Sequence, residues 1–168
     1  LNILHRGLLE QGIDSLVLGR PNSPLRERLK DWSDRFRSFR PRFEVDMMAA
    51  IGLVRLIRRE EPEIVHAHTS RSHAIARLAQ LVDPEIRLVV SRRVNYPIRR
   101  NGFSRLKYRF GVSRYIAVCE AVKKTLVAGG VAAEKISVVY SCAANAGHVG
   151  APAPRGDSLV VGFAGRLE

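Results

Sequence analysis

The sequence predicts an α/β domain built on a doubly wound parallel sheet. Short apolar runs rich in Val and Ile alternate along the chain with segments whose apolar residues recur at helical spacing. Within the apolar runs, polar and apolar residues do not alternate, which is typical of strands buried on both faces. The 168 residues are 46% hydrophobic and only 7% aromatic, so they suffice for one domain with a mainly aliphatic core.

The first three elements are predicted as a helix, a strand and a short helix, at residues 1–11, 14–19 and 23–31. Leu1, Leu4 and Leu8 recur at helical spacing, and Gly12 can end that helix. The short helix has Ser23 as its cap and a proline at its first position, where the missing N–H costs nothing.

The next segments are an extended piece at 35–45 and a helix at 46–60. Arg alternates with Phe through "RFRSFRPRF", which favours an exposed strand or an extended loop. In the helix, we expect Met47, Ile51, Val54 and Ile57 to share the buried face, and Pro62 ends it.

The remaining elements repeat a strand–helix alternation, which predicts parallel pairing through right-handed crossovers. The predicted strands are residues 63–68, 86–91, 115–120 and 135–141, and the predicted helices are 70–82, 101–111 and 121–128. Gly129 and Gly130 stop the last helix.

The chain divides into three parts by composition. Residues 1–144 form the α/β domain, 145–157 are rich in Gly, Ala and Pro and indicate a linker, and 158–168 begin a second domain with an apolar strand. The chain opens inside a helix and closes on "SLVVGFAGRLE", so we expect it to be a fragment of a longer protein whose first strand is missing.

Net charge is the unusual feature of the composition. The chain has 28 Lys and Arg against 16 Asp and Glu, giving +12, which attracts nucleic acid, anionic membrane or phosphorylated substrates. We find no transmembrane run and no signal peptide. Cys119 and Cys142 form no metal or disulfide pattern, and the expected compartment is the cytoplasm.

Two histidines lie at the end of a predicted strand. Because strand side chains alternate, His66 and His68 share one face, and His68 lies at the carboxyl edge, where open α/β sheets bind ligands. The next helix begins near Ser70, and the free N–H groups at the start of this helix can bind an anion. No Asp or Glu occurs between Glu63 and Asp83, which argues against a metal. Packed, structural imidazoles remain an open alternative, above all for His66.

A basic stretch from 91 to 114 contains eight Lys or Arg and no acid. Arg92 and Arg93 follow the strand "RLVV", so we expect them to clamp a phosphate at the sheet edge. We expect the later basic residues, which have aromatics among them, to face an anionic bilayer. The alternative is that they form a solvated helix face. These residues are Arg99, Arg100, Arg105, Lys107 and Arg109.

Three segments together resemble a known family. In order and spacing, "PEIVHAHTSRSHAIARLA", "YIAVCEAVKKTLVAGGVAAEKISVVYS" and "VVGFAGRLE" are similar to the amino-terminal half of GT-B glycosyltransferases of family 4. The stretch "SRRVNYPIRRNGFSRLKYR" resembles enzymes that extend lipopolysaccharide or related surface glycans.

The resemblance implies two Rossmann-like domains facing a cleft, with residues 1–144 as the acceptor domain and 158–168 as the start of the sugar-donor domain. It implies hexosyl transfer, with retention, from a nucleotide-sugar co-substrate to a saccharide or lipid-linked acceptor, without cofactor or metal. His68 matches the histidine beside the reaction centre, supported by His66. Cys119 and Glu120 match residues at the cleft edge. We expect a cytoplasmic protein, peripheral on the inner membrane face.

The sequence departs from the family at several points. Cys119 replaces the usual serine, and a thiol is a poorer helix cap than a hydroxyl. After "VVYS" the chain reads "SCAANAGHV" instead of a glycine followed by an acid, and Cys142 and His148 receive no role. The family's glycine-rich loop would precede Leu1. Without the donor domain, we expect the fragment to be inactive.

Two other functions stay open at this stage. A basic nucleic-acid-binding module would suit the charge, although no recognition-helix, RNP or zinc-finger pattern is present and no nucleic-acid partner is expected. A sugar-nucleotide epimerase would keep the same fold with other chemistry. The lack of a G-x-G-x-x-G after any strand argues against a dinucleotide-dependent dehydrogenase.

Overall fold

The computed structural model describes residues 1–98 and 102–141, apart from the side chains of Phe103 and Arg105. Within these residues the α-helices are Asn2–Glu10 (α1), Pro24–Arg28 (α2), Met47–Glu60 (α3), Ser70–Val82 (α4), Gly102–Arg109 (α5) and Glu120–Ala128 (α6). The strands are Val17–Gly19 (β1), Phe36–Ser38 (β2), Val65–Ala67 (β3), Leu88–Arg92 (β4), Val112–Ala117 (β5) and Ile136–Val138 (β6). The predicted linker and second domain, with Cys142 and His148, lie outside the described residues, as do Arg99 and Arg100.

All the strand pairs described are parallel, which confirms the predicted fold class. β1 pairs with β2, and β3, β4, β5 and β6 form a second sheet in that order. Each step of the larger sheet passes through one helix, as parallel pairing requires. The carboxyl ends of its four strands therefore share one edge, and the segments that follow them are brought side by side.

The core is aliphatic, as the composition predicts. Ile75, Leu88 and Leu126 are fully buried, and Tyr115 is the largest side chain among the fully buried ones described. The smaller sheet has its own cluster of Val17, Leu29 and Phe36, and it joins the main core through the half-buried Leu18 and Phe39. The smaller sheet thus packs against the main core while keeping its own buried cluster.

Helix α3 buries a face that overlaps the predicted one only in part. The structure buries Val54 as predicted and half-buries Ile51 and Ile57, but it also buries Ala50 and Leu53, while Met47 is 46% exposed. The face is rotated because α3 packs against α4, whose inward residues include Ala76 and Ala79, and close approach of two helices favours small residues. The predicted boundaries are confirmed: Asp46 caps the helix, and it ends before Pro62.

The expectation that strands are buried on both faces is wrong for β4. Leu88, Val90 and Arg92 are buried, whereas Val89 and Ser91 between them are half-buried. The alternation arises because the described residues cover one face of the sheet fully and the other only in part. Strand β3 also ends one residue earlier than predicted, so His68 lies just beyond it.

None of the helices described is long and apolar enough to cross a bilayer. The longest, α3, has 14 residues, and a membrane span needs about 20.

Two glycines in the left-handed region offer a matched test of packing around the sheet. At Gly12 (φ 74°) no atom lies near the position that a Cβ would take, whereas a Cβ on Gly111 (φ 70°) would overlap the Arg77 guanidinium that bonds to Gln80. We expect Gly12→Ala to lower the free energy of unfolding by about 1 kcal/mol, because of backbone strain. We expect Gly111→Ala to cost at least about 1 kcal/mol more, because the amide of Gln80 also bonds to two backbone carbonyls.

Urea unfolding of the two variants measures this difference. Equal losses of unfolding free energy would show that Arg77 moves freely and contributes nothing to this packing.

Candidate functional site

The histidine pair occupies the carboxyl edge of the larger sheet. The rings of His66 and His68 lie 4.0 Å apart between centroids and are tilted by 35°, which confirms that they share a face. The pairing of β3 with β4 aligns His66 with Val89. It also brings His66 Nε2 within 2.9 Å of the Ser91 hydroxyl. His66 is thus held in place by its neighbouring strand, which suits the supporting role expected for it.

His68 is half-buried and uncharged at neutral pH. Burial, followed by the effects of His66 and Arg93, lowers the pKa of His68 from 6.5 to about 3. Its Nδ1 is buried and has no hydrogen-bond partner within the described residues. A neutral imidazole offers one donor and one acceptor, so His68 retains capacity for a ligand hydroxyl or carbonyl.

One further group borders the histidine pair. Arg93 is exposed and lowers the pKa values of both His66 and His68, although burial has the larger effect. A polar ligand at this edge would therefore meet two neutral imidazoles and an exposed guanidinium.

Ser70 begins α4 next to the pair, but its hydroxyl is already engaged. It donates to Glu44 Oε1 at 2.9 Å and accepts from the Lys107 ammonium at 2.9 Å. Thr69 caps the helix in a reciprocal capping box with Ser72. The substrate-binding role expected for Ser70 is therefore limited to the backbone at the start of α4.

Arg92 does not serve as the anion clamp predicted from sequence. It is the last residue of β4 and is only 8% exposed. Its guanidinium donates to the carbonyls of Val94 and Tyr96 and, at 2.6 Å, to the Tyr108 hydroxyl. It also lies over the Tyr108 ring, with Cζ 5.4 Å from the centroid. Arg92 therefore fixes the chain after β4, and Arg93 is the exposed member of the pair.

Lys107 does not face a bilayer, contrary to the sequence prediction. Its side chain is buried, and the ammonium donates to the Ser70 carbonyl at 2.9 Å and lies 4.0 Å from Glu44. Burial lowers the pKa of Lys107, and Glu44 opposes that effect. Arg109 is exposed as predicted. The side chain of Arg105 and all of Arg99 and Arg100 lie outside what the structure describes.

Cys119 and Glu120 lie two strands away from the histidines, after β5. Cys119 occupies the cap position of α6 and is half-buried, and its thiol makes no capping bond, as expected for sulfur. Glu120 is exposed in the first turn of α6. In the described part of the chain, no hydrogen bond, ion pair or ring contact joins either residue to His68.

His73 is buried in the core. Its Nε2 donates to the Lys107 carbonyl at 3.1 Å, and its ring meets Tyr108 edge-on at 5.0 Å. Residues 1–98 and 102–141 contain no group of three or more His, Cys, Asp or Glu arranged to hold a metal ion.

Sequence reasoning missed several residues of this region. Ser91 supports His66, and Glu44 reaches Ser70 from a loop that is 26 positions earlier in the chain. Three exposed arginines line a separate surface cleft near that loop: Arg20, Arg40 and Arg42. The alternation of Arg and Phe at 35–43 was a signal for part of this cleft, but Arg20 lies on another strand end and no local pattern connects the two.

The buried His73 makes stability depend on pH. Burial, followed by Lys107, lowers its pKa from 6.5 to about 3, so the unfolded chain binds a proton that the folded protein rejects. The contribution of neutral His73 to the free energy of unfolding is therefore fully present above pH 6.5, and it is lost as the pH drops toward 3. Between pH 7.5 and pH 5, we expect protonation of His73 in the unfolded chain to lower the free energy of unfolding by about 2 kcal/mol.

The test compares urea unfolding of the wild type and His73→Phe at pH 7.5 and pH 5. The variant is less stable at pH 7.5, because the Lys107 carbonyl loses its donor, yet it should lose about 2 kcal/mol less on acidification. A constant difference between the two proteins at both pH values would contradict the assignment.

Comparisons with known proteins agree with this architecture. The chain matches the family model for Glycosyltransferase Family 4 over residues 2–143, and a comparison with curated proteins finds no match. The crystal structure of HepE (Alr3699) from Anabaena with UDP and glucose is 17% identical, with a TM-score of 0.54, over 74% of this chain and 36% of that one.

Two more solved structures are similar. A candidate UDP-N-acetylglucosamine 2-epimerase from Listeria monocytogenes is 18% identical, with a TM-score of 0.57, over 80% of this chain and 40% of that one. The lipopolysaccharide outer core galactosyltransferase WaaB is 15% identical, with a TM-score of 0.51, over 68% of this chain and 32% of that one. The chain thus spans at most 40% of these proteins, and the likeness shows the fold alone.

The structural likeness confirms a Rossmann-like α/β domain of the GT-B type. The family model covers nearly all of the described residues, including the histidine pair and the starts of α4 and α6. The chain belongs to Glycosyltransferase Family 4.

Proposed function

We propose that this chain is the acceptor-binding domain of a retaining glycosyltransferase. The full-length enzyme transfers a hexose from a nucleotide-sugar to a saccharide or lipid-linked acceptor, and the donor is bound mainly by a second domain. The observation that supports this most is the neutral, half-buried His68 at the carboxyl edge of the sheet. Its Nδ1 has no hydrogen-bond partner among the described residues. WaaB is a galactosyltransferase and HepE was solved with UDP and glucose, which agrees with the proposal.

The proposed role of this sheet edge is to bind an uncharged polyol through hydrogen bonds. His68 accepts from or donates to a sugar hydroxyl near the reaction centre, and His66, held by Ser91, keeps the His68 ring in place. Arg93 supplies a positive charge that stabilises phosphate oxygens of the donor as the sugar leaves. Each contribution comes from a side chain placed at a strand end, outside the packed interior.

The proposal predicts that His68 matters for turnover more than for stability. In the full-length enzyme with UDP-glucose as the first donor tried, His68→Ala should lower kcat at least about 100-fold. Its free energy of unfolding should change by less than about 1 kcal/mol, because the ring is half-buried and its Nδ1 bonds to nothing described.

His66→Ala is the matched variant, since it removes the neighbouring imidazole and the bond to Ser91. It should lower kcat less than His68→Ala does. Loss of folding in His68→Ala, with normal turnover of the folded fraction, would make the residue structural and remove the proposal's main support.

A sugar-nucleotide epimerase is the second candidate, and one observation favours it. The similar structure with the highest coverage of this chain among those described above, 80%, is a candidate UDP-N-acetylglucosamine 2-epimerase. Incubating the full-length enzyme with a nucleotide-sugar and no acceptor separates the two functions by proton NMR. Inversion at a sugar carbon without transfer would favour the epimerase.

We also propose peripheral attachment to an anionic membrane through the region around α5. Leu106 is 55% exposed and Phe110 is 58% exposed, next to the exposed Arg109. Apolar groups beside basic ones suit the interface of an anionic bilayer. The buried Lys107 takes no part in this surface.

Sedimentation with phosphatidylglycerol vesicles tests the attachment. We expect binding that weakens with salt, and Leu106→Ser with Phe110→Ser should reduce the bound fraction severalfold. Tyr140→Ser, at another position that is 69% exposed, is the control and should leave binding unchanged. Equal binding of all three proteins would contradict attachment through α5.

A further inference from the structure

We propose that a cleft at the carboxyl ends of β1 and β2 binds a phosphate or diphosphate group carried by the acceptor. The inference rests on the proposed function for the identity of the ligand, but the anion site itself can be tested without it. The cleft has a volume of about 590 Å³ and is lined by Arg20, Arg40, Pro41 and Arg42. This volume is within the usual range of small-molecule sites.

The parallel pairing of β1 with β2 brings the arginines together. Gly19 pairs with Ser38, and the amide of Phe39 donates to the Gly19 carbonyl at 2.8 Å. Arg20 and Arg40 each follow directly after this last bonded pair. Two arginines that are 20 positions apart in the sequence therefore leave the same sheet edge, and both line the cleft.

The backbone of the third arginine is held by a helix cap. The amide of Arg42 donates to Asp46 Oδ2 at 2.9 Å, while Asp46 Oδ1 accepts from the amide of Ala49 at 2.9 Å. Pro41 restricts the preceding Arg40 to an extended conformation. The loop is thus fixed before any ligand arrives, which reduces the entropy lost on binding.

The protein offsets the charge of the cleft only in part. Within residues 1–98 and 102–141, the guanidinium groups of Arg20, Arg40 and Arg42 have no side-chain hydrogen bond or ion pair. Two acids are near Arg42 in the chain. Glu44 is bonded to Ser70, and Asp46 is bonded to the backbone amides of Arg42 and Ala49, which lower its pKa together with the charge of Arg42. Three guanidinium groups without an ion pair suit an anion with several oxygens, and a phosphate ester or diphosphate fits that chemistry.

The loop that carries Arg42 contacts the start of α4. Glu44, two positions after Arg42, accepts from the Ser70 hydroxyl at 2.9 Å, and Ser70 starts α4 immediately after the histidine strand. The loop that carries Arg42 is thus tied to the helix that follows His68. Because a second domain is proposed to bind the donor, we assign the phosphate to the acceptor.

The first experiment titrates the purified protein with inorganic pyrophosphate, followed by calorimetry. We expect saturable binding, and Arg20→Gln and Arg42→Gln should each weaken it roughly tenfold, since each removes a charge-assisted contact. Arg87→Gln is the control: Arg87 is exposed and directly precedes β4, at the opposite, amino edge of the larger sheet. All three substituted side chains are exposed, and unchanged thermal midpoints confirm that the variants fold.

Further arms identify the source of the phosphate. Glucose 1-phosphate should compete with pyrophosphate, whereas glucose should not. If phosphatidylglycerol vesicles compete instead, and do so only when Arg20 and Arg42 are present, the phosphate belongs to a lipid headgroup and the acceptor assignment is overturned.

Absence of saturable pyrophosphate binding, or equal affinity in the wild type and the Arg20 and Arg42 variants, would overturn the site. That result leaves the His68 turnover test untouched. Conversely, an intact arginine-dependent anion site together with a fully active His68→Ala enzyme would retain the cleft and reject the proposed function.

Discussion

The pairing register between β3 and β4 is the constraint on which the candidate site depends. It aligns Ala67 with Val90 and so leaves His68 at the carboxyl edge, just past the paired residues. Because side chains alternate along a strand, the same register puts His66 on the face of His68 and next to Ser91. A slip of one residue would turn both imidazoles to the other face and break the bond to Ser91. The chemistry at the edge is therefore a direct result of backbone hydrogen bonding in the sheet.

The basic stretch shows that one kind of residue can serve two purposes. Arg92 and Lys107 are buried, and each forms bonds that hold one segment against another: Arg92 fixes the chain after β4, and Lys107 ties α5 to the start of α4. Arg93 and Arg109 are exposed and keep their charge available. Long cationic side chains can bury their stems and satisfy their heads with carbonyls, so charge density along the sequence does not reveal which ones face solvent.

Much of the fold could be predicted from sequence, because hydrophobic pattern and cap residues are local signals. The limits of α4 agree with prediction, since Thr69 caps it and a polar residue ends its apolar pattern. The buried face of α3 could be predicted only in part, because its rotation is set by the neighbouring α4 and not by α3 itself. The partners of Arg92 are also tertiary: Tyr108 is 16 positions away, and its hydroxyl reaches the guanidinium only after α5 has packed.

The same distinction holds for the site. A short motif placed His66 and His68 correctly, whereas the arginine cleft joins two strand ends and a helix cap and has no continuous signature.

Burial at the sheet edge keeps His68 neutral over a wide range of acidity. Since the pKa of His68 is about 3, this residue gains no proton between pH 5 and pH 8, and burial shifts the pKa of His66 in the same direction. If the rate profile of the whole enzyme has an acid limb between those pH values, we expect that limb to originate in groups other than His68.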